Sequence, residues 1–389
     1  MKTSIDRILT THTGSLPRPK PLIDLVLAQE RGAAIDAAAF EAEVGKAVDE
    51  VVALQVGAGV DIVSDGEMSK PSYATYIKNR VEGIQPDPRA SAEGRDVMIG
   101  RDQLAHPDFA ARLRSNFSDM PFPGCVGPLR YKDTSALKRD LANLKAAAAT
   151  SNAAEAFMTA ASPGILTRFI INLYYPTEDE YVAALADVMK TEYRAIVEAG
   201  FILQIDAPDL GSARNNQYRH LSDDEFRKIA ERNIAALNAA TEGLPTDRMR
   251  LHVCWGNYAG PHTHDLPLTQ IIDIVFKARP QAISIEAANP RHDHEWEDLK
   301  EIAIPDDKIL IPGLIDSTSN FVEHPKLVAQ RIGRYADIVG RERVIAGVDC
   351  GFGTAVRSDP MVADSIVWAK LRALREGAEI ATKRLWGQT

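Results

Sequence analysis

Eight short runs of β-branched and aliphatic residues recur along this chain, and longer amphipathic, alanine-rich runs separate most of them. No other feature constrains the fold as strongly. The apolar runs are Ile8–Thr13, Val60–Asp65, Glu155–Ala160, Phe201–Asp206, Arg250–Cys254, Ala282–Glu286, Lys308–Leu314 and Arg343–Val348. Helical periodicity is clearest over Phe40–Leu54, Asp179–Glu198, Asp223–Ala240, Leu268–Lys277, Pro325–Tyr335 and Met361–Glu376. Strands that are apolar throughout must be covered on both faces, and alternating helices supply that cover, so the pattern is that of a parallel α/β fold. Eight such units predict a closed TIM (β/α)8 barrel rather than an open sheet. At 389 residues the chain suits one barrel with an insertion, read as a single catalytic domain over 1–389.

The insertion is expected after the second strand. The stretch from about 69 to 152 is too long for one crossover helix and carries the Pro/Gly clusters IQPDPRASAEGR and DMPFPGCVGP before a helical alanine run. It reads as an enlarged βα loop, and such loops lie at the catalytic face of a barrel.

Composition narrows the function classes. The formal net charge is -9 and no Lys/Arg run stands out, which argues against a nucleic-acid partner. No apolar stretch approaches the roughly 20 residues of a membrane helix. The N-terminus lacks the apolar core of a signal peptide. The expected location is the cytoplasm, with no membrane partner; self-association is left open. Three cysteines, Cys125, Cys254 and Cys350, exclude a disulfide framework in practice and fit a reducing compartment.

The informative residues cluster at the carboxyl ends of the apolar runs. These ends carry Thr13-Gly14-Ser15, Asp65-Gly66-Glu67, Asp206, His252 with Cys254, Glu286, Asp316-Ser317-Thr318 and Asp349-Cys350. A barrel gathers such ends around one mouth, and Asp and Glu are rarely buried without a partner. His252 and Cys254 are two apart on a strand and share a face. With Glu286 on the next strand and Cys350 on the last, they form the thiolate, imidazole and carboxylate set that zinc accepts. Each has a plain alternative when taken alone: a small buried hydrophobe for Cys254, a satisfied core histidine for His252, an arginine partner for Glu286. His262 with His264, and His292 with His294, form two H-x-H pairs. They read either as solvated loop or as support and proton relay at the barrel mouth.

With these residues assembled, the chain resembles the catalytic barrel of the cobalamin-independent methionine synthase family from Ile8 to about Arg375. The motifs are TTHTGSLPRP, DGE at 65–67, LQIDAPDL at 203–210, HVCWGN at 252–257, SIEAAN at 284–289 and GVDCGFGT at 347–354. The resemblance implies Zn²⁺ held by His252, Cys254, Glu286 and Cys350. It also implies an amino-acid thiol such as homocysteine held by Thr13, Gly14, Ser15, Glu67 and Asp206. The expected activity is methyl transfer to homocysteine, giving methionine, from methyltetrahydrofolate or a simpler donor; the partners are a small-molecule thiol and an alkyl donor.

The departures lie on the donor side. Thr318 stands where the family has a proton-donating histidine, which leaves Asp316 and His324 as candidate proton donors. Leu173 replaces a tryptophan associated with the folate, leaving Tyr174 and Tyr175 as candidate donor contacts. The zinc enzymes that add coenzyme M to an epoxide also resemble the chain and need no folate pocket. Further alternatives are a uroporphyrinogen-type decarboxylase, which would need cationic residues and no metal, and a non-catalytic zinc- or thiol-binding protein. Cys125 lies outside the metal set and is expected to have no catalytic role.

Overall fold

The computed structural model describes residues 1–114, 122–357 and 360–387. All eight apolar runs contain parallel strands: β1 Leu9–Thr10, β2 Ile62–Val63, β3 Glu155–Ala161, β4 Ile202–Asp206, β5 Met249–Val253, β6 Ala282–Ile285, β7 Ile309–Pro312 and β8 Ile345–Ala346. The strands β2 to β7 form one six-stranded sheet in chain order, and β1 pairs with β8. Parallel bridges also join Thr11 to Ile62, Leu310 to Val344 and Gly313 to Gly347, linking the pair to both edges of the larger sheet.

The register sets one row of polar side chains. Asp206 lies opposite His252, and His252 lies opposite Ser284, so these side chains come to the same level. Beneath that row, a small apolar cluster of Leu9, Ile62, Phe157, Ile202, Ala282, Ile309, Ile311 and Ile345 draws on every strand except β5. Between the two levels runs the buried Arg250 side chain. Its guanidinium donates to Gln204 Oε1 at 2.7 Å, Thr11 Oγ1 at 2.9 Å and the His12 carbonyl at 2.8 Å, and it lies 3.5 Å from the centre of the Phe157 ring. Burial lowers its pKa to about 9.

The outer helices pack on this sheet through the larger apolar core. Asp223–Ala240 shows why its sequence starts there: Ser222 Oγ accepts from Glu225 N at 3.3 Å while Glu225 Oε2 accepts from Ser222 N at 2.8 Å, satisfying two free helix-end donors. The helix expected over Leu268–Lys277 is reduced to a 3-10 turn at Leu268–Gln270 and a single α-turn at Ile272–Val275. The inserted region contributes two strands to a separate small sheet. Val81–Pro86 pairs antiparallel with Pro123–Tyr131, which pairs parallel with Ile171–Asn172. Its last helix, Ser135–Ala149, buries Leu137, Leu141 and Leu144 and meets the helix Ala37–Gly57 through Arg139 Nε to Glu41 Oε1 at 3.3 Å. That helix therefore packs beside a helix of the outer layer. Among the described residues no helix is long and apolar enough to cross a membrane.

Candidate active site

The carboxyl ends of the strands border a cavity of about 580 Å³. Its wall includes Thr13, Ser15, Glu67, Asp206, His252, Cys254 and Cys350. His252 comes from the end of β5, Cys254 from the residue just past it, and Cys350 from the loop after β8. One ligand atom from each lies within 4.8 Å of the others. Cys350 Sγ is 3.8 Å from His252 Nε2 and 3.5 Å from Glu286 Oε1. Glu286 is fixed from the other side, accepting from the Trp255 backbone N–H at 2.8 Å. The structure thus brings all four sequence-singled residues together, with Glu286 touching the triad through Cys350.

The chemistry of this set fits a soft divalent metal. Burial, with the charge of Arg250, drives the His252 pKa down to about 3, so the ring is neutral and able to ligate. Its Nδ1 lies 3.3 Å from Ser284 Oγ, which leaves Nε2 facing the thiols. The neighbouring Cys254 and burial push the Cys350 thiol well up, and burial likewise raises Glu286. Two thiols and a carboxyl crowded in one dry spot favour a cation between them. Zn²⁺ would be held by His252, Cys254, Cys350 and Glu286, the mixed N, S and O set it takes.

A second acidic pair faces the same cavity. Glu67 has a left-handed backbone, with φ of 59°, a conformation that costs a non-glycine residue energy and marks a constrained position. Its Oε1 accepts from Thr159 Oγ1 at 2.8 Å, whereas Oε2 is buried with no partner. Asp206 Oδ1 accepts from Gln204 Nε2 at 2.7 Å. Burial and the charge of Glu67 hold the Asp206 carboxyl well above the usual range. Gly14, at φ of 141°, is required beside them: a Cβ there would sit 2.6 Å from Thr159 Cγ2 and 3.0 Å from Glu67 Oε1. Thr13 Oγ1 donates to the Val348 carbonyl at 3.0 Å, and Ser15 Oγ accepts from Gly353 N at 3.3 Å.

The candidate donor-side residues are placed elsewhere. His324 is exposed and caps the helix Pro325–Val339, accepting from Lys326 N at 3.1 Å. Asp316 Oδ1 accepts from Thr318 N and Oγ1. Against the effect of its burial, hydrogen bonds from Ser319 and Thr318 hold its carboxyl below the ordinary value, which suits an acceptor and not an acid. Tyr174 is half exposed, and Tyr175 stacks on Tyr181. None of these four borders the cavity.

Sequence reasoning missed Asp102, which comes from the inserted region and reaches the cavity wall. It accepts from Thr263 Oγ1 at 2.7 Å, Asn215 Nδ2 at 3.0 Å and Tyr258 OH at 3.0 Å, and pairs with His264 Nδ1 at 2.7 Å. In the H-x-H pairs His262 and His292 are buried, His264 is half-buried against Asp102, and His294 is exposed. Asp265 Oδ2 lies 2.6 Å from His262 Nδ1 and 3.2 Å from His292 Nε2, and Glu295 Oε2 lies 2.9 Å from His292 Nδ1. Burial opposes a charge on His292, but Asp265 and Glu295 outweigh it and raise the pKa to about 10. The His292 ring stacks at 4.3 Å on Trp255, the residue whose N–H holds Glu286.

Residues 134–370 match the family described as "Cobalamin-independent synthase, Catalytic domain". The chain belongs to this family. Curated relatives include the methionine synthase of Saccharolobus islandicus, 25% identical over 383 residues, covering 97% of this chain and 95% of the relative. The methionine synthase of Saccharolobus solfataricus is 24% identical over 379 residues, with coverage of 97% and 95%. Among solved structures, a B12-independent methionine synthase from Shewanella sp. W3-18-1, in complex with selenomethionine, superposes with a TM-score of 0.72. It is 20% identical and covers 98% of this chain and 99% of that one, so the two share a fold.

Proposed function

We propose that this chain is a zinc-dependent methyltransferase that methylates homocysteine to give methionine, on one closed (β/α)8 barrel spanning the whole chain with an insertion after the second strand. The family and the names of its relatives support the reaction class. The observation that carries the reading is the meeting of two chemistries in one cavity: a buried His-Cys-Cys set with Glu286, and a buried carboxylate pair with an unpartnered oxygen.

In this reading Glu67 Oε2 and Asp206 receive the ammonium of the amino-acid thiol, a charge that relieves their mutual repulsion. Ser15 Oγ, which accepts from Gly353, keeps its hydrogen for the substrate carboxylate. Zinc, when bound, supplies the acidification that keeps a thiol as thiolate near neutral pH. The sulfur then takes the methyl carbon, and the donor leaves with the electron pair of the broken bond. Trp255 N–H fixes Glu286, and the His262–Asp265–His292–Glu295 cluster fixes Trp255. A sulfonate-bearing acceptor such as coenzyme M would meet Glu67 and Asp206 as like charges.

The test supplies zinc-loaded protein with homocysteine or coenzyme M, each with methyltetrahydrofolate, a simple methyl donor or an epoxide. Methionine from either methyl donor supports the reading. Thioether only from coenzyme M and epoxide overturns it.

A further inference from the structure

The cavity wall holds two buried arginines that the proposed reaction leaves unused, Arg18 and Arg168, and Arg168 has by far the fewer partners. Arg168 lies on the helix Pro163–Phe169, which follows β3, and it borders the cavity. It is 9% exposed. Among the described residues its guanidinium makes a single hydrogen bond, from Nη1 to Ser212 Oγ at 3.2 Å, and Nε is buried without a partner. Ser212 Oγ donates onward to the Pro208 carbonyl at 2.8 Å, so nothing there offsets the positive charge.

The other buried arginines are treated differently. Arg80 faces Asp140 and Glu192, Arg214 faces Asp223, and Arg331 faces Asp293. Arg18 also leaves Nε without a partner, but both its terminal nitrogens are bound, by the carbonyls of Gly353, Glu67 and Lys70, and Arg250 is bound by three oxygens. A guanidinium withdrawn from water without a counter-charge is costly. Its rigid donor fork matches a carboxylate or sulfonate in two parallel hydrogen bonds. Ser212, which Arg168 holds, donates its own backbone N–H to the Cys254 carbonyl at 3.2 Å, which puts Arg168 beside the thiol cluster.

We propose that Arg168 seats the acidic group, carboxylate or sulfonate, of the alkyl donor. The inference rests on the alkyl-transfer reading, in which the acceptor's own charges already have partners in Glu67, Asp206 and Ser15. Arg168, the cavity arginine whose donors are mostly free, then serves the second substrate. The donor is therefore an acid: a folate with its glutamate tail, or a small onium carboxylate.

Calorimetric binding to the zinc-loaded full chain tests this without turnover. The probes are 3-(methylthio)propionate and its neutral amide, measured on wild type, Arg168→Met and Arg168→Lys, with homocysteine as control. The expected result is at least a roughly 10-fold preference for the acid in wild type. Arg168→Met loses the preference and Arg168→Lys keeps part of it, while homocysteine affinity and zinc content stay constant. Equal or undetectable binding of acid and amide by wild type overturns the proposal. So does a preference that survives in Arg168→Met, or homocysteine binding that falls with the acid's. If Arg168→Met does not fold, the acid-to-amide ratio in Arg168→Lys decides, and an unchanged ratio overturns it. Kinetics then separate the sources: the KM that rises about 10-fold in Arg168→Lys, for methyltetrahydrofolate or for dimethylsulfoniopropionate, identifies the seated donor. A rise for neither counts against the proposal. Failure of the alkyl-transfer reading looks different, because wild type would form no thioether from any donor whatever its acid preference.

Discussion

Glu67→Gln isolates the charge on which the acceptor reading depends. The substitution keeps the side chain's size, and the amide oxygen still accepts from Thr159 Oγ1, now at 2.8 Å from Oε1. It replaces the unpartnered Oε2 with an NH₂ group and removes one of the two carboxyl groups facing the cavity. A hydrogen bond to a charged group contributes about 1.5–3 kcal/mol, so homocysteine binding should weaken by about 10- to 150-fold. The remaining Asp206 favours the lower half of that range. Stability should move the other way. Glu67 is one of the groups that raise the Asp206 carboxyl, and its loss lets Asp206 ionise more readily, so the melting temperature should hold or rise. The assay is calorimetric titration of the zinc-loaded variant with homocysteine and with 4-mercaptobutyrate, which lacks the ammonium. The reasoning fails if homocysteine affinity is unchanged, or if both thiols lose affinity equally.

Cys350→Ser should abolish zinc retention, read by metal analysis after dialysis, while circular dichroism stays that of the folded chain, because the apolar layers do not depend on this side chain. Cys125→Ser should leave zinc content and turnover within about twofold of wild type. That thiol is buried, bonds to the Gly127 carbonyl at 3.4 Å, and is pushed by burial up to about 11, so it is protonated and inert near neutral pH. His292→Gln should destabilise the fold most at low pH. The folded protein holds this proton up to about pH 10 against 6.5 for the free side chain. The contribution is therefore full below pH 6.5, declines above it and vanishes beyond about pH 10. Melting curves of wild type and variant should converge over that interval, and a gap that widens with pH would refute the assignment.

The strands and the meeting of His252 with Cys254 were legible because each rests on a local rule. β-branched runs mark strands, and a two-residue spacing puts His252 and Cys254 on one face. Strand register is not a local property, so the alignment of Asp206, His252 and Ser284 emerges only from the structure. The small sheet built by Val81–Pro86 and Pro123–Tyr131 escaped notice because its proline and glycine content reads as loop. Asp102 had no motif at all; it matters because the fold brings Thr263, His264, Tyr258 and Asn215 to it from far along the chain. Tyr174, Tyr175 and His324 were singled out by resemblance and chemistry, and their placement away from the cavity wall is set by packing that no local pattern encodes. Arg168 carried no signal in sequence, since an arginine in a helical run is usually a solvated one.

The Arg250 layer has a consequence for how the site responds to its medium. A fixed guanidinium below Asp206, sealed between Phe157 and the strand ends, acts as a built-in counter-ion for the acidic wall above it. Dissolved ions cannot compete for a charge they cannot reach, and screening acts weakly on buried pairs. Acceptor affinity should therefore be nearly flat from low ionic strength to several hundred millimolar salt, a tolerance that charges lining an open channel would not provide.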